Sequence, residues 1–600
     1  MEKEKLEGMR HSCEHVLTMA MMRLWPGKIK AAMGPATEDG FYFDFDADLK
    51  ISEDDFPKIE EAMRAIVLED LPILKDEMTV EQARDFFAQN TYKGNEYKHE
   101  WIDLIEARGE AVSIYWMGER GRDMPQTFVD ICSGPHAEST GKVGAFKLLK
   151  TAGAYWHGDE KKKMLTRIYG TAFENQEELD QYLFRIEEAK KRDHRKLGKE
   201  LDLFTFSELV GPGLPLWTPK GTALRHELDR FVWSLRSRHG YSRVCIPHIT
   251  KKDLYERSGH WEKFANELFR IVTREGKEYA VKPMNCPHHT QIFARKPHSY
   301  REMPQRYAET TMVYRDEQSG ELGGLTRVLS ITQDDSHIFC RYGQIKQEFF
   351  AIWDIVDTLY TTFGFSLRVR LSFHDPATPE KYLGTPEIWL NAEKALREIA
   401  QERQADYFEA KGEAAMYGPK LDFMATDSIG RQHQVATIQL DMNLPERFDL
   451  SCINERGEKE RIVMIHSAIM GSIERFSAVL IEHLGGVFPL WLAPEQIRVA
   501  TVGVDFVSFA RCLAQECEAV GMRVSVDDSD EKVGKKIRNA AEMKIPWTVV
   551  VGGKEVEGGP LHVRVFGQEE ECVLSREEFM ARLQMEGKPP GETGGEPPVC

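Results

Sequence analysis

His11 and His15 stand four apart in HSCEH, with Glu14 between them. On a helix that spacing puts both imidazoles on one face. There they could share a zinc with the glutamate as general base, as in inverted zinc proteases, or position a water without a metal. A second group lies in YRDEQSGELGGLTRVLSITQDDSHIF, where Arg315 and Glu317 are two apart and Arg327 follows a Gly- and Ser-rich stretch. On a strand Arg315 and Glu317 would share a face, with Arg327 opening the return strand. Arginine forks grip phosphate through two bonds, and a carboxylate beside them accepts from an amine such as that of adenine. A surface hairpin laced with ion pairs fits these residues equally well. A third is Arg475 in GSIERF, set among Ile473, Phe476, Val479 and Leu480. An arginine on the apolar side of a helix is rare unless paired or functional.

The elements that must position these groups belong to a large chain. At 600 residues it needs several domains, and 42% hydrophobic with 29% charged residues is globular composition. No apolar run approaches the ~20 residues of a membrane span, and MEKEKLEGMR has no signal-peptide core. The ten cysteines contain no C-x-x-C, which predicts a reducing, cytoplasmic setting. A net charge of −18 argues against nonspecific coating of nucleic acid. A connecting helix is expected over 174–201, acidic early and basic late, and a new domain is expected to begin just before GPGLPLWTP at 211–219. RVCIP and SLRVRLSF read as strands of the long middle. From residue 490, strand-like and helical runs alternate, which predicts a small, mostly parallel α/β domain. GKPPGETGGEPPVC at 587–600 is a Pro/Gly-rich, disordered tail.

Taken together, HGYSRVCIPHI (239–249), the hairpin at 314–339 and the Arg475 helix resemble the three signature motifs of class II aminoacyl-tRNA synthetases. SGHWEKF, KPMNCPHH, TQDDSHIF, YGPKLDF, ATIQLD and GSIERF then follow the order and spacing of threonyl-tRNA synthetases, from about residue 10 to 585. The resemblance implies an α+β multidomain chain. Its parts are an N-terminal α/β editing domain (1–172), a linker helix (173–195), a class II antiparallel-sheet catalytic domain (196–490), a C-terminal α/β anticodon-binding domain (491–586) and the tail (587–600). It also implies one catalytic Zn2+ on Cys286, His337 and His466, a set that sequence separation alone could never nominate. Threonine would lie among Met284, Gln333, Asp335, Tyr417 and Gln439, with Asp335 accepting from its hydroxyl. Arg315 would hold the α-phosphate of ATP, Arg327 and Arg475 the outer phosphates, and Glu317 the adenine, with Mg2+ bridging the phosphates. His260 would serve proton movement at the tRNA 2′-hydroxyl.

Serine differs from threonine by one methyl, worth only ~1–3 kcal/mol, so a second, hydrolytic site is needed. The resemblance places it in the N-terminal domain, at His11, His15, Asp130, Cys132 and His136, and implies that it works without metal. Glu14 would face solvent. Departures from the family pattern are Leu329 and Gly323 in the phosphate hairpin, an extra His288 near the zinc, Ser529 in DDSDEK and the missing R-G pair in HVRVFGQ. Lys532, Arg538 and Arg564 are the remaining candidates for anticodon contact. The N-terminal β-grasp (TGS) domain usual in bacterial members is expected to be absent. The partners expected are tRNA(Thr), ATP, L-threonine and a second copy in a homodimer, with no membrane. A prolyl- or seryl-type ligase lacks the zinc triad, and a noncatalytic RNA-binding relative has no need of Arg315, Glu317 and Arg475.

Overall fold

The computed structural model describes residues 2–89, 92–122 and 124–591, so residues 592–600 of the expected tail lie outside the described residues. The chain forms two compact units, Met1–Glu187 and Glu188–Cys600, and the division falls within the connecting helix. That helix is two helices, Gln176–Arg192 and His194–Glu200, separated at Asp193, whose side chain accepts the N–H of Arg195 and caps the second. Among the described residues no helix is long and apolar enough to cross a membrane.

In the first unit the helix Glu2–Leu24 is the central element, buried nearly without interruption from Gly8 to Met22. Cys13, Val16, Leu17 and Ala20 join Phe41, Phe43 and Phe45 of the strand Gly40–Ala47 in one core. That strand pairs antiparallel with Met164–Phe173, which pairs in turn with Ala145–Tyr155. A separate three-stranded sheet runs Ile73–Met78, Val112–Met117, Phe128–Ile131.

The second unit is built on an eight-stranded sheet in the order Ser242–Arg243, Gln305–Tyr314, Ser330–Cys340, Val463–Ser472, Gln432–Asp441, Lys420–Thr426, Ser366–Phe373, Tyr407–Lys411. Every pairing is antiparallel except the two at the edges. Side chains alternate across such strands. Ile338, Cys340, Ile438, Leu440 and Ile465 therefore pack into the main core, with Ile352, Val356 and Leu359 of the helix Ile345–Thr362 and with Phe476 and Leu480 of the helix Ile473–Leu484. The residues between them are free to face the other way. Register aligns them: His337 pairs with His466 and His466 with Gln439, while Asp335 pairs with Ala468 and Ala468 with Thr437. Between Gln333 and Asp335 the pairing shifts, so one residue of one strand opposes three of the other. Asp334 fills the irregularity by accepting the N–H groups of Ile469, Met470 and Gly471. The strand Val463–Ser472 then passes without a loop into the helix Ile473–Leu484.

Two expectations need correction. The RVCIP strand shrinks to Ser242–Arg243, because Pro247 and the irregular backbone after residue 243 leave no ladder to extend. The C-terminal sheet is only half parallel. Val524–Asp527, Ile497–Thr501 and Trp547–Val551 run parallel, and Leu561–Val565 and Glu571–Leu574 extend them as an antiparallel hairpin.

Candidate functional site

The cross-strand row opens onto a cavity of about 80 Å³ lined by Met284, Cys286, Gln333, Asp335, His337, Tyr417, Thr437, Gln439, His466, Ser467 and Ala468. All five residues expected around threonine and all three expected ligands therefore line one space. Gln333, Asp335 and His337 arrive by i, i+2, i+4 alternation on one strand, Thr437 and Gln439 by the same rule on another. Cys286 begins the helix Cys286–Ala294. Tyr417 donates to Gln439 Oε1 at 2.6 Å while its ring stacks on His466 at 4.7 Å between centroids. Asn285 donates to Asp335 Oδ2 at 2.9 Å.

The donor set suits a soft, tetrahedral cation. Ligand atoms of Cys286, His337 and His466 lie within 4.8 Å of one another, all three side chains buried. His466 Nε2 lies 2.9 Å from Asp441 Oδ2, so its Nδ1 faces inward, 3.1 Å from His337 Nε2. His337 Nδ1 lies 2.8 Å from His289 Nδ1, which leaves His337 Nε2 with a free lone pair when Nδ1 donates. Burial, with Asp335 and Asp441 nearby, pushes the Cys286 thiol well up, and burial holds His337 far below the usual imidazole range. A metal would relieve both. It is His289, not the additional His288, that reaches His337. Both ring nitrogens of His288 are buried without a hydrogen bond, and its ring meets Tyr255 edge-on.

His260 Nε2 sits 3.1 Å from Met284 Sδ and 3.7 Å from Cys286 Sγ, with Nδ1 2.8 Å from Ser258 Oγ. Burial, reinforced by His466 and Arg315, brings it down to about 3, so the ring is neutral. Arg315 lies just past the strand Gln305–Tyr314, and Glu317 and Arg327 lie in the turns before Ser330–Cys340. The expectation that Arg315 and Glu317 share a strand face, and that Arg327 begins the return strand, is therefore wrong. The ladder ends at the pair Tyr314 and Ser330, and the Gly-rich segment beyond it is irregular. Arg315 Nε is buried without a partner, and the charge of Arg315 bears on His260, Cys286 and Tyr417. Arg327 pairs with Glu317 at 2.7 Å and Glu321 at 2.9 Å. Arg475 is not on the apolar face of its helix. It is the exposed position of a first turn whose neighbours Ile473, Glu474 and Phe476 are buried, and it has no acidic partner among the described residues.

In the first unit His11 and His15 lie on one face of the long helix, opposite the loop after the strand Phe128–Ile131. Cys132 Sγ is 3.2 Å from both His11 Nε2 and His136 Nε2. Ser12 Oγ donates to Gly8 O, so His136 Nδ1 must donate to Ser12 and its Nε2 lone pair faces the thiol. Burial pushes Cys132 up to about 12 and brings His136 down to about 2, so thiol and imidazole are both neutral. A cavity of about 320 Å³ is lined by His11, Glu14, His15, Lys98, Asp130 and Cys132 among others, with His136 behind the thiol. Glu14 does not face solvent. It is fully buried, its Oε2 3.7 Å from Nε2 of both His11 and His15, because the helix has no solvent face at this level. Asp130 is ion-paired with Lys98, a buried lysine that sequence reasoning missed. Asp441, His289 and Asn285 were likewise missed, although Asp441 ends the quoted ATIQLD.

In the C-terminal sheet domain Lys532, Arg538 and Arg564 are exposed, Arg564 paired with Glu571. Ser529 turns back to hydrogen-bond Asp527, and Lys536 is buried on the carbonyls of Thr501 and Asp527.

Three family models match this chain: the tRNA synthetase class II core domain (G, H, P, S and T) at residues 269–484, the anticodon binding domain at 496–586, and the threonyl and alanyl tRNA synthetase second additional domain at 112–169. It is 46% identical over 594 residues to a threonine–tRNA ligase of Gloeobacter violaceus, covering 97% of this chain and 92% of that one. It is 45% identical to a threonine–tRNA ligase of Staphylococcus carnosus, covering 97% and 88%. Among solved structures, the RNA binding domain of threonyl-tRNA synthetase from Cryptosporidium parvum matches with TM-score 0.64 at 37% identity, covering 67% of this chain and 100% of that one. Prolyl-tRNA synthetase of Giardia lamblia, in complex with prolyl-adenylate, matches with TM-score 0.53 at 16% identity over 67% and 81% of the chains, a likeness of fold alone.

Proposed function

This chain belongs to the threonine–tRNA ligase family, and from that premise we propose how its own residues divide the work. The class II core carries out aminoacylation, and the second additional domain is the editing domain. In the first step a threonine carboxylate oxygen attacks the α-phosphorus of ATP and the bond to pyrophosphate breaks. Arg315 sits against the α-phosphate, Arg327 and Arg475 against the outer phosphates with Mg2+, and Glu317 near the adenine amine. These are positioning and charge-stabilising roles. ATP must draw Arg327 away from Glu317 and Glu321, with which it is paired here. In the second step a tRNA hydroxyl displaces AMP from threonyl-adenylate, and His260 handles the proton.

The observation that carries the threonine reading is the row His337, His466, Gln439 beside Cys286. Cys286, His337 and His466 would hold Zn2+, which when bound supplies open positions for an amine and a hydroxyl. Asp335 and Gln439 flank that space and orient the ligand. Valine offers no hydroxyl, and a polar site left unpaired rejects such an isostere by roughly 10⁴–10⁵. Serine passes, and its ester is hydrolysed where Cys132, His136, His11 and His15 hold a water next to the cavity. Homodimer formation through 239–249, a cytoplasmic setting and anticodon contact by Lys532, Arg538 and Arg564 complete the reading.

ATP–pyrophosphate exchange tests it. Exchange should depend on threonine over valine and proline and vanish on zinc chelation, and exchange indifferent to threonine would sink it. Seryl-tRNA hydrolysis should fall sharply in Cys132→Ala and His11→Ala. Survival in both removes the editing assignment.

A further inference from the structure

We propose that His194 is a positioning residue for threonine activation, holding the turn of the phosphate hairpin where Arg327 meets ATP. This rests on the placement of ATP argued above. His194 opens the helix His194–Glu200 and is 5% exposed. Its Nδ1 lies 2.7 Å from Oε1 of Glu482, and its main-chain N–H donates to the same oxygen at 3.1 Å. An ionised carboxylate only accepts, so Nδ1 carries the proton and Nε2 is an acceptor. Nε2 takes the N–H of Leu325 at 3.1 Å. Glu482 is itself held by Arg431 at 2.7 Å. Burial alone would raise its carboxyl, yet it is lowered, because the bonds from His194 and the charge of Arg431 outweigh burial.

Leu325 and Glu482 belong to different parts of the phosphate site. Glu482 lies in the last turn of the helix whose first turn carries Arg475. Leu325 lies two residues before Arg327, in a turn closed on itself by bonds between Gly323 and Arg327 in both directions. The Leu325 side chain is fully buried in the main core, so the turn is pinned by side chain and amide together. Gly324 adjoins the ring: its φ is +52°, and a Cβ there would stand 2.3 Å from His194 Nε2. The turn thus closes onto the imidazole with no room for a side chain. One ring, donating to the helix and accepting from the turn, sets the two outer arginines in register.

Asparagine and glutamine separate the two bonds. In His194→Asn the amide replaces Nδ1 toward Glu482 and leaves nothing to accept from Leu325. In His194→Gln the longer amide reaches the Nε2 position and gives up Glu482. In threonine-dependent ATP–pyrophosphate exchange with the full chain, His194→Asn should raise KM for ATP about tenfold, the scale of one lost hydrogen bond to a positioned loop. KM for threonine should stay nearly constant, and His194→Gln should recover most of the ATP defect. An unchanged KM for ATP in His194→Asn overturns the proposal, as does an equal rise for both substrates, which marks general loosening. Arg327→Ala runs in parallel. If it raises KM for ATP and His194→Asn does not, only the present inference fails; if neither does, the ATP placement fails with it. Should His194→Asn not fold, Gly324→Ala pushes the turn off an intact His194 and must raise KM for ATP selectively, or the proposal is wrong.

Discussion

Oδ2 of Asp441 lies 2.9 Å from Nε2 of His466, on the ring edge away from His337. The other oxygen of Asp441 caps Asn443 and Leu444, so the carboxylate cannot turn aside. It fixes which nitrogen of His466 faces the cavity. Asp441→Asn keeps the cap but places an N–H where the ring needs an acceptor. Zinc affinity, measured by competition with a chromogenic chelator, should fall roughly 10–100-fold, the usual effect of losing such a partner. Undiminished affinity would exclude His466 as a ligand through Nδ1.

Tyr417→Phe keeps the stacking on His466 but removes the donor to Gln439 Oε1. A buried acceptor left unpaired costs about 1–3 kcal/mol. KM for threonine should rise while KM for ATP holds, as measured by pyrophosphate exchange.

Arg475 is exposed and has no acidic partner among the described residues, and partial desolvation, which lowers its guanidinium, makes its charge no support to the fold. Arg475→Ala should leave the thermal midpoint within about 1 °C, as surface changes of a few tenths of a kcal/mol do. Activation should still slow by roughly 10²–10³, the effect of removing one preorganised charge-stabilising group. Loss of stability in step with activity would mean a structural arginine.

Lys98 and Asp130 form a buried ion pair lining the cavity of the first unit, and Lys98 also donates to Ala32 O at 2.9 Å. Lys98→Met strands a buried carboxylate and should cost about 3–5 kcal/mol in denaturant unfolding of the first unit. The double change Lys98→Met with Asp130→Leu should recover much of that loss. Failure to recover would show that the lysine acts on the cavity rather than on its partner.

Burial lowers His11, holds His15 far below the usual range and brings His136 down to about 2. A histidine whose folded pKa is depressed binds fewer protons than in the unfolded chain. Its contribution to stability is therefore fully present above the unfolded value of about 6.5 and falls as pH drops below it. First-unit stability should decline below that point, by less than the about 4 kcal/mol per pH unit of three unopposed rings, because burial raises the carboxyls of Glu14 and Asp130 and these take up protons in the folded state. Seryl-tRNA hydrolysis by the folded protein should show no acid limb centred near 6.5. Such a limb would mean that an imidazole of the site titrates normally.

Much of this was legible where a rule of spacing applied. His11 and His15 share a face because they are four apart on a helix, and the alternating runs after residue 496 became the expected strands and helices. The cavity residues were not legible that way. Cys286, His337 and His466 are separated by tens to more than a hundred residues; strand register brings the two histidines together and the start of the helix Cys286–Ala294 adds the cysteine, so they enter through resemblance. Glu14, a carboxylate beside polar neighbours, reads as solvent-facing, whereas packing around the helix buries it completely. Arg315 reads as a strand residue because alternation does not announce where a ladder stops. Lys98, His289 and Asp441 act through partners remote in sequence, which no single-chain pattern records.

The strand Val463–Ser472 runs into the helix Ile473–Leu484 with no intervening loop. His466 and Arg475 are therefore two marks on one rigid rule, the first lining the cavity proposed for the amino acid and the second proposed to meet the nucleotide's phosphates. An insertion or deletion of one residue between them would flip the strand's faces and rotate the helix by about 100°, displacing both groups at once. On the proposed roles, substrate choice and nucleotide chemistry share a common length. Side-chain replacement is the change that leaves both groups where this segment holds them.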